Sequence, residues 1–395
     1  MSVEKNVPEI RFKGFNGEWV EKPLNHEVEL FSGLTYSPKD IRKEGVFVIR
    51  SSNVKNGQIV QADNVYVNPE VVNCSNVQKG DIIVVVRNGS RSLIGKHAQV
   101  HSLMNDTVIG AFMTGIRAGH PEFINALFDT AKFTAQVEKN LGATINQITN
   151  GAFNSMVFMF PEEQEKNAIG TYFQKLDNLI NQHQQKHAKL SNIKKSMLEK
   201  MFPKPGKTIP EVRFKGFSGE WEEKELGSVA QITMGQSPSG ENYTNNPNDF
   251  ILVQGNADLK NGFVVPRVWT SEVTKKAVKG ALIFSVRAPV GEVGKTDYDV
   301  VLGRGVAAVY GNEFIYQQLK KIKSDNYWHK VSAGSTFDAI SSTELASTLM
   351  WISSEPEQEK IGNYFQKLDM LINQHQQQIT KLTNLKQACL SKMFV

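Results

Sequence analysis

Three stretches of this 395-residue chain carry residue types that do chemistry elsewhere. GEVGKT (291–296) ends as a phosphate-binding loop ends, with a lysine and a threonine for a phosphate and its magnesium, but the place of the required first glycine is taken by Pro289. GRGVAA (303–308) has the spacing of a dinucleotide fingerprint, with Asp325 at about the expected distance. Its continuation, VAAVY, favours a strand where that motif must open a helix. Glu222 and Lys224 form an E-x-K without the partner acid that a metal-dependent nuclease needs. No Pro-Pro occurs, so the Asn/Asp-Pro-Pro-aromatic loop of methyl transfer to a base amine is missing. The eight histidines form no metal triad, and two cysteines, Cys74 and Cys389, make no disulfide framework. These near-misses leave binding as the leading class, with no catalytic and no metal-ligating residue assigned.

The residues best suited to binding lie in VVVRNGSRSLIGKHAQVH (84–101), where Arg87, Asn88, Ser90, Arg91 and Lys96 surround a glycine-containing turn between strands. Arginine and asparagine make paired hydrogen bonds to guanine and adenine edges, whereas serine and lysine commonly meet phosphates. Arg287, Lys295 and Arg304 occupy comparable places in the second half, where Gly280, Arg287, Gly294 and Lys295 follow the order of Gly80, Arg87, Gly95 and Lys96. Because Arg87 and Arg287 coincide, a structural role against a carboxylate competes evenly with a DNA contact. The loops GLTYSPKD (33–40) and GQSPSGENYTNN (235–246) are rich in small polar groups, and read equally well as base readers or as solvated surface. A net charge of +5 is compatible with nucleic acid without requiring it. Hydrophobic content of 40% and charged content of 22% are those of a soluble globular protein; no membrane-length apolar run or signal-peptide core is present, so the cytoplasm is expected.

What positions these residues is a duplication. PEIRFKGFNGEWVEK (8–22) returns as PEVRFKGFSGEWEEK (210–224) with 12 of 15 positions identical, and IGTYFQKLDNLINQHQQ (169–185) returns as IGNYFQKLDMLINQHQQ (361–377) with 15 of 17. GATINQI (142–148) is matched more loosely by GSTFDAI (334–340). The repeated Trp19, Trp221, Phe12, Phe15, Phe214 and Phe217 read as packing rather than base stacking. Between the fixed blocks, VFVIR (46–50), DIIVVV (81–86), SMVFMF (155–160), FILVQ (250–254), ALIFSVR (281–287) and DVVLGRGVAAVY (299–310) predict strands, and 121–139 and 313–330 predict helices. From 161 to 202 and again from 356, apolar residues recur at alternating steps of four and three. Ile169, Phe173, Leu176, Ile180, His183 and Leu190 form one seam, and Ile361, Phe365, Leu368, Ile372, His375 and Leu382 the other. Forty helical residues span about 60 Å. The seven-residue linker 203–209 reaches at most about 25 Å. The second globular part must therefore start near the far end of the first helix, and an equivalent second helix must run back.

The predicted fold class is α+β: two pseudo-two-fold-related recognition domains (1–160 and 203–355) joined by two long antiparallel coiled-coil helices (161–202 and 356–395). The competing picture packs each long helix on its own domain. Polar His183 and His375 would fix register in the seam.

The order R-F-x-G-F-x-G-E-W, G-S-T-F-x-A-I and P-x-E-Q-E-K before a long helix, all of it twice, resembles the specificity subunit of type I restriction-modification systems, over essentially the whole chain. Asn167 and Ala168 look like two extra residues at the first helix start relative to Lys360 and Ile361. The resemblance implies a non-catalytic subunit that reads a split, asymmetric double-stranded DNA target, one part per domain, with the helices setting the spacer and docking two methyltransferase subunits. It further implies two restriction/translocase subunits, and S-adenosylmethionine, ATP and magnesium used by those partners and not by this chain. Two other classes compete: a methyltransferase or nuclease acting alone, which turnover without partners would reveal, and a structural coiled-coil adaptor, which would lack salt-dependent duplex binding.

Overall fold

The computed structural model describes residues 6–141, 146–332 and 339–395. It divides into two compact units, residues 1–183 with 378–395 and residues 184–377. This differs from the sequential division into domains and helices, because the ends of both long helices belong to the cores of the globular parts.

In the first unit, an antiparallel sheet runs in the order Val28–Ser32, Met113–Ala118, Ile82–Val85, His97–Gln99. A second sheet runs Thr107–Ile109, Val46–Ile49, Val65–Val67, Ile41–Arg42, its first two strands parallel. The run DIIVVV is apolar throughout because its strand is covered on both faces. Ile82, Val84 and Val86 enter one core with Trp19, Phe123 and Phe133, whereas Ile83 and Val85 enter another with Phe47 and Ile109. The second unit repeats the plan. Gln231–Met234, Val306–Tyr310, Leu282–Ser285 and Val293–Lys295 form the first sheet, extended by Phe263–Val264 and Leu259–Lys260. Tyr243–Thr244, Val268–Thr270, Phe250–Val253, Val300–Leu302 and Lys276–Ala277 form the second, with Phe250–Val253 and Val300–Leu302 parallel.

Three predicted elements are interrupted. The helix expected over 121–139 is two helices, Pro121–Phe128 and Ala131–Asn140, the second capped by the Thr130 side chain. The helix over 313–330 likewise breaks after Ser324 and resumes at Tyr327. The strand over 299–310 turns at Gly303, Arg304 and Gly305, so the fingerprint-like glycines make a β-turn region and VAAVY is indeed a strand.

The long helices are Glu163–Lys200 and Glu355–Met393. Their antiparallel pairing is seen inside each unit. Tyr172 lies 3.4 Å from the Cys389 sulfur and Asp177 pairs with Lys386 at 2.5 Å, so one number falls as the other rises. In the second unit Lys194 pairs with Asp369 at 2.6 Å, and the Phe202 and Phe365 rings stack at 6.2 Å. The seam is not only between helices. Ile169, Phe173 and Leu176 pack into the core of Trp19 and Phe123 together with Leu390, Met393 and Phe394. Ile361, Phe365 and Leu368 do the same with Trp221, Phe314, Met201 and Phe202. Both competing pictures of the helices are therefore realised, each at the helix ends. Ile180 is buried, whereas His183, Leu190, Ile372, His375 and Leu382 are half-buried.

The repeated head blocks explain themselves at these ends. Arg11 forks onto the buried Glu165 with two hydrogen bonds of 2.7 Å, and Arg213 forks onto the buried Glu357 at 2.6 and 2.7 Å. Trp19 and Trp221 are 1% and 2% exposed, core residues as their repetition suggested. The fork also corrects the expected two-residue insertion at Asn167 and Ala168. Glu165 and Glu357 stand the same number of residues before Ile169 and Ile361, so the helix starts are in register and the similar QEK letters are not aligned. Gly170 and Gly362 are small because a Cβ there would come within 2.7 Å of the Phe123 backbone nitrogen and 2.9 Å of the Glu313 side chain.

Candidate nucleic-acid interface

In the first unit the loops meet at the carboxyl ends of the parallel strands. The Gly110 N–H donates to the Ile49 carbonyl at 2.9 Å, the Leu34 N–H to the Ile109 carbonyl at 2.7 Å, and Arg87 bridges to Gln147. The Asn88 amide donates to the Ser51 hydroxyl at 3.1 Å. Together these loops enclose a cavity of about 720 Å3 whose lining includes Tyr36, Arg50, Ser51, Asn88 and Phe112.

The second unit has the same backbone frame. Gly303 N–H donates to the Val253 carbonyl at 2.7 Å, Gln236 N–H to the Leu302 carbonyl at 2.9 Å, and Arg287 bridges to Ala339. The short 3-10 turns Pro38–Asp40 and Gly240–Asn242 both precede edge strands, Ile41–Arg42 and Tyr243–Thr244. Gly33 and Gly235 are required by close approach: a Cβ on either would stand 2.1 and 2.0 Å from the carbonyl oxygens of Gly110 and Gly303. On this shared frame the side chains differ. Arg50 corresponds to Gln254, Phe112 to Gly305, Ala111 to Arg304 and Ile41 to Tyr243.

Comparison with known proteins agrees with the duplicated plan. The family described as type I restriction modification DNA specificity domain matches residues 16–192 and again residues 218–384. The chain belongs to this family. The putative type I restriction enzyme MjaX specificity subunit of Methanocaldococcus jannaschii is 28% identical over 223 residues, 54% of this chain and 52% of that protein. The type I restriction enzyme EcoKI specificity subunit of Escherichia coli K12 is 27% identical over 184 residues, 44% of this chain and 39% of that protein. The chain thus spans about half the length or less of the curated relatives it matches. The crystal structure of a type I restriction-modification system S subunit from M. genitalium shares the fold, with a TM-score of 0.65 and 16% identity over 98% of this chain and 99% of that one.

Within this specificity-domain fold, the predicted site residues fall into two groups. Arg87, Asn88, Ser90 and Arg91 share the loop end of the first unit, and Arg287 and Arg304 that of the second, where the Val286 N–H donates to the Gly305 carbonyl at 3.0 Å. The Arg87 guanidinium lies 4.9 Å over the Phe112 ring, not against a carboxylate, and among the described residues Arg87, Arg91, Arg287 and Arg304 form no ion pair. Asn88 is committed internally, its amide to Ser51 and its carbonyl oxygen accepting from the Ser90 N–H at 2.9 Å, so it shapes the turn. The Ser90 and Ser92 hydroxyls hydrogen-bond each other at 3.0 Å.

Lys96 and Lys295 stand apart. Lys96 lines a separate cavity with Lys55, His97 and Thr134. Lys295 pairs with Glu313, lies 4.6 Å over the Tyr316 ring, and faces a cavity of about 950 Å3 that Asp369 of the second long helix also lines. Their expected equivalence is corrected by register. Gly95 donates to the Val85 carbonyl as Gly291 donates to that of Ser285, and Gly80 to Val100 as Gly280 to Thr296. Gly291, not Gly294, therefore matches Gly95, and Lys96 corresponds to Glu292. The hairpin loop of the first unit, 86–94, is four residues longer than its counterpart, 286–290. Counting glycines in sequence hides that insertion. The matching segments 142–148 and 334–340 lie largely outside the described residues, of which Gln147 and Ala339 carry the two bridges.

Arg50 and Gln254 were missed by sequence reading. The available signal was a polar residue shortly after each strand, Asn53 and Asp258, which caps the turn. Among the described residues no group of three or more His, Cys, Asp or Glu could hold a metal ion, and no helix is long and apolar enough to cross a membrane.

Proposed function

We propose that this chain is the DNA sequence-specificity subunit of a type I restriction-modification complex, without a reaction of its own. The loop end of each unit reads one half of a bipartite asymmetric duplex target. The paired helices set the spacing and dock two methyltransferase subunits, and two restriction/translocase subunits join the larger assembly. S-adenosylmethionine, ATP and magnesium act in those partners. The observation that carries this reading is the repeated frame with exchanged side chains: equivalent backbone hydrogen bonds hold two loop ends whose exposed residues differ. Such an arrangement suits two readers of unlike sequences. The buried carboxylates support the non-catalytic role, since each serves structure: Glu165 and Glu357 in the forks, Asp81 with Arg117 at 3.1 Å, and Asp258 on two backbone N–H groups.

Replacing residues 24–160 by the corresponding segment of another family member tests the division of labour. Mapping methylated positions in a host carrying the hybrid should show one half of the target changed and the other retained. A hybrid with both halves altered would contradict independent readers.

A further inference from the structure

One position in each unit combines a pinned backbone with a side chain of base-reading type. Arg50 follows the strand Val46–Ile49, and Gln254 follows its counterpart Phe250–Val253. The Arg50 N–H donates to Asn53 Oδ1 at 3.0 Å and the Gln254 N–H to Asp258 Oδ2 at 2.7 Å. Asn53 and Asp258 are 0% and 5% exposed. The segment leading into a later strand, Val65–Val67 or Val268–Thr270, steadies each of them by a different polar partner. Asn53 donates to Asn64 Oδ1 at 3.2 Å and to the Ala62 carbonyl at 2.7 Å, whereas Asp258 lies 3.7 Å from Arg267. The same backbone position has thus been held twice with two polar solutions, while the residue it presents has changed.

Each side chain is then aimed by one contact. Arg50 Nη2 donates to the Asp63 carbonyl, and Gln254 Nε2 donates to the Tyr243 hydroxyl at 3.0 Å. With Nε buried, this leaves Nη1 and the second Nη2 hydrogen on Arg50 as donors of the kind that meet guanine O6 and N7. On Gln254 it leaves Oε1 and the second Nε2 hydrogen, an acceptor and a donor that match adenine N6 and N7. Both residues are partly exposed, and Arg50 borders the open cavity beside Tyr36, Asn88 and Phe112.

We propose that Arg50 and Gln254 are equivalent specificity-determining residues, Arg50 reading a guanine in one half-site and Gln254 an adenine in the other. The proposal rests on the reading of the loop ends as DNA-recognition surfaces. Arg87 and Arg287 are the same residue at the same backbone position, so their identity offers no difference between the halves; that of Arg50 and Gln254 does.

The test is selection from a random duplex library by the full chain with the subunits that co-purify from its host, comparing wild type with Arg50→Gln, Gln254→Arg and Arg50→Ala. Arg50→Gln should move one column of one half-motif from guanine to adenine with a roughly ten- to hundred-fold change in preference. Gln254→Arg should move one column of the other half from adenine to guanine by a similar factor, and Arg50→Ala should flatten only the column that Arg50→Gln moves. Motifs unchanged by all three variants overturn the proposal while leaving DNA recognition standing. Loss of a whole half-motif rather than one column assigns these residues to loop structure and also overturns it. A wild-type chain that enriches no sequence removes the recognition reading itself, and the proposal with it.

Discussion

Removing the Glu357 charge from its fork leaves Arg213 charged and only partly exposed, held by the Gly219 and Ser218 carbonyls alone, so the effect exceeds what the pair contributes over an apolar substitute. Glu357→Gln is expected to destabilise the second unit by about 1–3 kcal/mol, read as a lower urea midpoint. The equivalent change at Glu165 should act on the first unit, where the fork is the same. A second residue-scale expectation concerns acid. Burial opposes the charge on Asp129, but hydrogen bonds and charge from His97 and Lys386 outweigh it and hold its carboxyl at about 2, below the ordinary 3.8. A depressed carboxylate stabilises the fold fully above pH ~4 and loses that contribution as pH falls towards about 2. Urea midpoints of Asp129→Asn should accordingly change less with pH across that window than those of the wild type; equal slopes would show that the cluster does not report on stability. Residues of this buried, repeated kind were legible in the sequence, Trp19 and Trp221 above all. Arg50 was not, because its meaning depends on Asn53 turning the chain beneath it and on Gln254 standing at the same place in the other unit.

At the scale of elements, apolar runs and heptads gave the strands and long helices, since burial on both faces or along one seam dictates the spacing of apolar residues. The breaks escaped. Nothing in periodicity marks Thr130 as a new helix cap inside 121–139, and a four-residue difference between hairpin loops is invisible when Gly95 and Gly294 both precede a lysine. Close approach is also hidden from periodicity, although it leaves glycine as a trace. Gly33→Ala and Gly235→Ala would each drive a methyl group into a backbone carbonyl, that of Gly110 or Gly303, whose N–H groups are held by the Ile49 and Val253 carbonyls. Each is expected to cost on the order of 1–3 kcal/mol and to weaken binding to one half of the target, measured by denaturation and by half-site competition.

At the scale of the whole molecule, duplication and linker length anticipated two like parts and antiparallel helices, but placed the boundaries between domains and helices instead of within the helices. The reason is energetic: Ile169 and Phe173 at one helix start, and Leu390 and Phe394 at the other helix end, fill the core of the first unit together. If the helices set target spacing, removing the same heptad from the middle of each should shorten the preferred spacer by about three base pairs, from roughly 10 Å of lost helix. Mapped methylation motifs with an unaltered gap would deny the helices that role. The seat of Phe394 against Trp19, with ring centroids 5.9 Å apart, carries one more consequence. Synthesis proceeds from the amino end, yet the earlier unit lacks part of its interior until Leu390, Met393 and Phe394 have been made, whereas residues 184–377 precede them. Order of manufacture and order of maturation are therefore reversed, and the first-made half must wait, partly open, for side chains made after the whole of the other unit.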